Sequence, residues 1–209
     1  MSKVTAEEKQ ETNIRIQKAA REIFLEKGIK GASIRDIAKK AGVGASTLYG
    51  YYSSKELLFI NTILPSIESR NDLHVHLDGL DVSNMGIEEV AEVLTDAVFA
   101  LPTSLIDMDQ SIIKEFHSVL FSISASDEIK KTMENFLENN MKEIISNFIK
   151  RLLEENIMKV SIEADEFAMY VLNTMRIVFL EYIIMGDMTK NACKEKLRKT
   201  IRMSLIGKI

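Results

Sequence analysis

The stretch from Ser33 to Leu57 sets two short helices around a Gly42-Val43-Gly44 turn and opens a third helix at once. Ser33 can cap the free N–H groups of the first helix, with Asp36 three residues on, as in a capping box. Ile34, Ile37, Ala38 and Ala41 then recur at spacings of three and four, a buried stripe of about two turns. Gly42 permits the sharp turn that ends it. In the following helix, Ala45 to Tyr52, Leu48 and Tyr52 point inward at i and i+4, leaving Ser46, Thr47, Tyr49, Gly50 and Ser53 outside. Small hydroxyls and a phenol on such a face suit contacts with bases and phosphates. Ser53 and Glu56 form a second capping box, so a helix N-terminus with its partial positive charge, and Lys55 beside it, faces the same region. This is the plan of a helix-turn-helix DNA reader.

Upstream, Ile16, Ala19, Ala20, Ile23 and Phe24 follow the i, i+3, i+4, i+7, i+8 pattern and stop at Gly28, a longer amphipathic helix that can pack across the other two. With Ser33, Ile37-Ala38, Ala41-Gly42-Val43, Thr47-Leu48-Tyr49, Tyr51 and Ser54-Lys55-Glu56-Leu57, these positions resemble the tetracycline-repressor (TetR) family of transcription regulators. The resemblance implies DNA contacts by Ser33, Arg35, Ala45, Ser46, Thr47, Tyr49, Tyr51 and Lys55. Three departures stand out: Gly44 where the family usually caps the recognition helix with Ser, Ser46 where Gly is frequent, and Tyr52 where Phe is usual. Gly44 should loosen the helix start, since glycine caps less well than serine and is costly to order.

A chain of 209 residues that is 46% hydrophobic can bury a substantial core, and its length suits one small and one ordinary domain. Two prolines, nine glycines and few alternating β-branched runs predict an all-α protein. A single cysteine and no charged-then-apolar leader predict a cytoplasmic location. No apolar stretch is read as approaching the roughly 20 residues needed to span a bilayer, so no membrane partner is expected. The net charge of −4 divides unevenly: residues 1–60 hold 11 Lys+Arg against 7 Asp+Glu, a net of +4, and residues 61–209 hold 16 against 24, a net of −8. The first segment is attracted to DNA and the second repelled, which orients the molecule.

The expected division is therefore 1–60, a helix-turn-helix DNA-binding domain with the motif at about 33–52, and 61–209, a helical effector-binding and dimerisation domain, with about nine helices in all. The fourth helix, from about Ser54, carries Leu57, Ile60, Leu64 and Ile67 inward, and Pro65 should kink or end it. Residues 72–86 read as a loop. A fifth helix stops at Pro102, a sixth spans about Leu105–Ser124, and a seventh runs from near Ser126 to about Asn156. An eighth, capped by Ser161, reaches Gly186, and the last covers about Lys190–Ile206.

The eighth helix is apolar on most of its circumference, more than one packing face can use. The last adds Cys193, Leu197, Ile201 and Leu205 as a stripe. The family resemblance implies that these two helices pair with their copies in a homodimer, over about 162–206, that reads an inverted repeat in double-stranded operator DNA. Phe99, Met108, Phe116, Phe121, Met133, Phe136, Met141 and Phe148 make the middle helices aromatic and methionine-rich, an adaptable interior. Taken alone such stripes are more often plain core than a binding box; the resemblance implies a small apolar or amphipathic effector, with Phe116, His117, Phe121, Phe136, Met141, Asn173 and Arg176 as candidate ligands. Glu115 and Glu181 are further polar residues inside apolar helices. Arg176 either binds an anionic ligand or pairs with a carboxylate at the dimer interface.

Other chemistry has little support. His74 and His76 lack companions at metal-ligand spacing, Cys193 is a lone thiol on an apolar stripe, and no catalytic constellation has the context an enzyme needs. No catalytic residue, metal or cofactor is expected. The sequence thus reads as a homodimeric repressor released from its operator by an effector. Two other classes share its features: a DNA-binding adaptor of the same fold that answers to a protein partner, and a helical carrier or chaperone.

Overall fold

The computed structural model describes residues 5–64, 67–106, 110–122, 126–159, 162–185 and 187–209. Among the described residues the chain is all-α, as its sequence predicts. The helices are α1 (Ala6–Gly31), α2 (Ile34–Ala41), α3 (Ala45–Tyr51), α4 (Lys55–Ile63), α5 (Ile67–Asp78), α6 (Ile87–Ile106), α7 (Gln110–Leu120), α8 (Asp127–Glu134), α9 (Lys142–Glu154), α10 (Ala164–Met185) and α11 (Lys190–Leu205). A π-helical segment, Asn135–Met141, joins α8 to α9.

The count exceeds the expected nine for identifiable reasons. The fourth predicted helix ends at Ile63, and α5 occupies much of the expected loop, so the loop begins only at Gly79. α6 runs through position 102 to Ile106 instead of stopping there, although a proline inside a helix costs one backbone donor. The long seventh helix is interrupted by the π segment, in which each hydrogen bond spans one residue more than in an α-helix. The readings placed on Pro65, Met108 and Ser161 lie outside the residues described.

Packing groups Met1–Leu64 with Leu105–Thr132, and Pro65–Ser104 with Met133–Ile209. The sequence-based boundary at 60/61 does not include this second piece of the first unit. The chain therefore passes between the units three times, at 64/65, 104/105 and 132/133.

In the first unit, Thr5 caps α1 by accepting from the Glu8 N–H at 3.1 Å, while the Glu8 carboxylate accepts from the Thr5 N–H at 2.8 Å, a capping box. Ile16, Ala19, Ala20, Ile23 and Phe24 are all buried, as their periodicity requires. α1 packs on α2 and α4, and α2 on α3, so these residues share a buried core with Ile37, Ala38 and Ala41 of α2, Leu48 of α3 and Leu58, Phe59 and Ile60 of α4. A side chain such as Leu48, at 0% exposure, contributes about 1.5–3 kcal/mol by leaving water. Phe59 stands edge-on to Phe24 at 5.0 Å and to Phe116 of α7 at 6.4 Å, a geometry that favours aromatic pairs. Arg21 donates to the Thr62 carbonyl at 3.1 Å, satisfying one of the open acceptors at the end of α4.

In the second unit, α10 packs between α9 and α11. Phe167, Ala168, Val171, Leu172 and Phe179 face this core, together with Phe148, Ile149 and Leu152 of α9. α11 contributes Cys193, Leu197, Ile201 and Leu205, each at most 1% exposed. This corrects one expectation: the stripe on the last helix fills the protomer's own core and is not available to a partner. A charged face of α11 lies against α6, where Lys194 meets Asp96 at 2.5 Å and Glu92 at 3.5 Å, and Arg198 and Arg202 both reach Glu88. Arg151 of α9 donates to the Leu77 carbonyl at 2.7 Å and to that of Leu80, closing the end of α5. Residues Ala164–Ile184, 21 in number at mean hydropathy 1.4, are long and apolar enough to cross a bilayer, contrary to the sequence reading. Half of that window is buried inside the protein, which accounts for that half of its apolar character.

Candidate nucleic-acid interface

Ser33, in extended conformation, accepts from the Arg35 N–H at 3.2 Å and starts α2. The cap is therefore the serine alone at the second helical position. α2 ends in a Schellman turn: Gly42 is left-handed at φ 69°, its N–H bonds the Lys39 carbonyl at 3.2 Å, and the Val43 N–H bonds that of Ala38 at 3.0 Å. Glycine is required there, because a Cβ crowds the left-handed region. Gly44 is different: at φ −72° and ψ 151° it sits in extended backbone open to any residue, and it gives α3 no side-chain cap.

α3 holds its outer face by its inner one. Leu48 is fully buried, and Tyr52 at the helix end is 6% exposed, its hydroxyl donating to Asn13 Oδ1 at 2.7 Å and accepting from Gln17 Nε2 at 2.9 Å. Burial pushes the Tyr52 phenol above its ordinary range, despite these two bonds. The tyrosine that replaces the usual phenylalanine thus finds partners on α1. Fixed from below, Ser46, Thr47 and Tyr49 stand exposed, Tyr49 at 53%, with Arg35 exposed on α2 and Ala45 and Tyr51 half-buried at the edges of the face.

The third helix start differs from the expected capping box by one residue. Ser54, in extended conformation, accepts from the Leu57 N–H at 3.0 Å and is the cap of α4. The Ser53 hydroxyl turns instead to the Glu128 carboxylate of α8. Lys55, first residue of α4 and half-buried, donates to the Ala32 carbonyl at 3.1 Å and so ties α4 to the residue before Ser33. An ammonium has three donors, so this bond leaves it able to meet a phosphate.

The seven effector candidates divide between the two units. Phe116, His117 and Phe121 belong to the first: Phe116 is buried, His117 half-buried, and Phe121, 70% exposed, stacks on the His117 ring at 5.8 Å. Burial lowers the His117 pKa from 6.5 to about 4. Phe136 and Met141 of the second unit are buried on the π segment, while Asn173 is exposed on α10 and accepts from Arg176 at 2.8 Å. Two clefts of about 160 and 360 Å³ are lined around Asp81 by other residues, among them Arg151, Met85 and Glu92. Glu115 and Glu181, the polar residues in apolar helices, have protein partners: Glu115 accepts from the Ile29 N–H, and Glu181 pairs with Lys196. His74 pairs with Asp78 at 2.8 Å. The Cys193 thiol is pushed up to about 11 by burial. The bonds of Asn13 and Gln17 carried no sequence signal, since only the fold brings them to Tyr52.

Two short helices about a left-handed glycine, braced by a longer one and presenting an exposed polar face, define a helix-turn-helix head. The profile of the family "Bacterial regulatory proteins, tetR family" matches residues 16–62, the same α1–α4 stretch. Over 98 residues the chain is 33% identical to the uncharacterized HTH-type transcriptional regulator TtgW of Pseudomonas putida, covering 47% of this chain and 68% of TtgW. It is 39% identical over 90 residues to the uncharacterized HTH-type transcriptional regulator YvdT of Bacillus subtilis (strain 168), 42% of this chain and 43% of YvdT, so the match spans less than half of that relative's length. Its fold is similar to that of the transcriptional regulator FadR of Bacillus subtilis in complex with stearoyl-CoA, with a TM-score of 0.59 at 17% identity, covering 94% of this chain and 98% of FadR. The chain belongs to the TetR family of helix-turn-helix transcriptional regulators.

Proposed function

We propose that this protein is a homodimeric transcriptional repressor that reads an inverted repeat in operator DNA and is released by a small apolar or amphipathic effector. The observation that carries the reading is the recognition face of α3, where Ser46, Thr47 and Tyr49 are exposed over a buried Leu48 and Tyr52. Backbone and base contacts fall to these residues with Ser33, Arg35, Ala45, Tyr51 and Lys55, and the net charge of +4 over residues 1–60 draws that end of the chain to DNA.

Dimerisation is supported by α10. Tyr170, Ile177 and Ile184 are exposed at intervals of seven residues, Ile177 at 67% and Ile184 at 70%, opposite the face buried in the core. Met203 of α11 and Ile206 beyond it, at 70% and 58%, add to the uncovered apolar surface. A two-fold partner that presents the same face would cover it, and two heads then match two half-sites. Effector binding is supported by the fold shared with FadR, which is described in complex with stearoyl-CoA. Phe116, His117 and Phe121 are the candidate ligands in the first unit, and Phe136, Met141, Asn173 and Arg176 those in the second.

The test is selection of a random duplex pool on the purified protein. Enrichment of one inverted-repeat sequence, bound with the salt dependence of phosphate contacts, supports the reading; recovery of no preferred sequence overturns it.

A further inference from the structure

The corner between α1 and α2 is held by a carboxylate from far along the chain. Inside α1 the backbone breaks at Gly28, φ 66° and ψ 175°, a combination essentially confined to glycine. The break exposes the N–H of Ile29, and Glu115 Oε2 on α7 accepts from it at 2.6 Å. The carboxylate occupies the space a side chain at Gly28 would need: a Cβ there would lie 2.7 Å from Oε2 and 3.0 Å from Oε1. The two residues fit one another, since the glycine gives both the open N–H and the room for its acceptor. Three residues on, Lys55 holds the Ala32 carbonyl, so the Gly28–Ser33 corner that feeds α2 is gripped from α7 and from α4. Phe116, next to Glu115, packs on Phe59 of α4 and so anchors the latch beside both.

We propose that Glu115 is a positioning residue for DNA recognition, which fixes the α1–α2 corner from α7 and thereby sets the angle at which α2 and α3 meet the duplex. The inference rests on the proposed reading of DNA by this head. Glu115 and the corner it holds belong to the same unit, although 86 residues separate Glu115 from Ile29 in the chain. A charged acceptor on a backbone donor is among the stronger hydrogen bonds, and glutamine keeps an acceptor of the same reach while alanine does not.

The experiment uses the full-length protein and the operator duplex recovered from the random pool, at a temperature well below the melting of every variant. Glu115→Ala should bind the operator at least about fivefold more weakly. Glu115→Gln, which keeps the acceptor without the charge, should recover most of the binding lost in Glu115→Ala, and Lys114→Ala, an exposed neighbour on α7, should leave wild-type binding unchanged. A role in stability alone would lower the melting temperature of Glu115→Ala without moving the affinity of the folded protein, and that result overturns the proposal. Equal weakening by Gln and Ala overturns it as well. If the wild-type protein enriches no sequence, the DNA-binding reading falls first and this inference with it.

Discussion

At the residue scale, the head separates glycines that the backbone needs from one it does not. Gly28 and Gly42 have positive φ, whereas Gly44 sits in extended backbone, and a Cβ added there would meet only ordinary contacts, Thr47 Oγ1 at 3.6 Å among them. Gly44→Ser should therefore cap α3 and stabilise the protein by roughly a few tenths of a kcal/mol, read as a small rise in the urea midpoint. Lys55→Ala should weaken binding to all DNA sequences alike and reduce the salt slope by about one; an unchanged slope would remove Lys55 from the phosphate contacts. His117 gives the pH dependence. Its pKa is depressed by burial to about 4, while the unfolded chain takes up that proton near the ordinary 6.5. Between these values the unfolded state binds more protons, so stability is full above pH 6.5 and declines as pH falls toward 4. Thermal melts across this range should show the decline in the wild type and a smaller one in His117→Phe.

At the scale of elements, what the sequence made legible was local and periodic. The α1 stripe, the α2–α3 turn and the inward Leu48 and Tyr52 follow from spacing and punctuation, and all stand in the structure. What it concealed depended on partners distant in sequence. The cap of α4 is Ser54, and Ser53 bonds Glu128, 75 residues away. Glu115 reads in the sequence only as a charge inside an apolar helix, yet its acceptor role is set by Ile29, 86 residues away. The periodicity of α11 locates an apolar stripe correctly but not what covers it: Leu197 and Ile201 are inside the protomer. A substitution that tests the dimer therefore belongs on the uncovered face. Ile177→Glu, at a position 67% exposed, should leave the protomer folded while dissociating the dimer in sedimentation at micromolar concentration. A dimer that survives this change would place the interface elsewhere.

At the scale of the whole molecule, the charge division and the helix-turn-helix head give the chain a DNA-facing end, and the exposed apolar face of α10 is the surface the proposed dimer would cover. A short recognition helix such as α3, seven residues long, contacts few base pairs, so specific recognition calls for two heads acting together. The proposed effector would change operator affinity only by favouring one spacing of the heads over another. The direct measurement is a hydroxyl-radical footprint of the selected operator, combined with the mass of the complex in sedimentation. Two protected half-sites related by a dyad, about 34–36 Å or a multiple apart and occupied by an even number of chains, are what this account predicts. A single protected half-site bound tightly by one chain would contradict it.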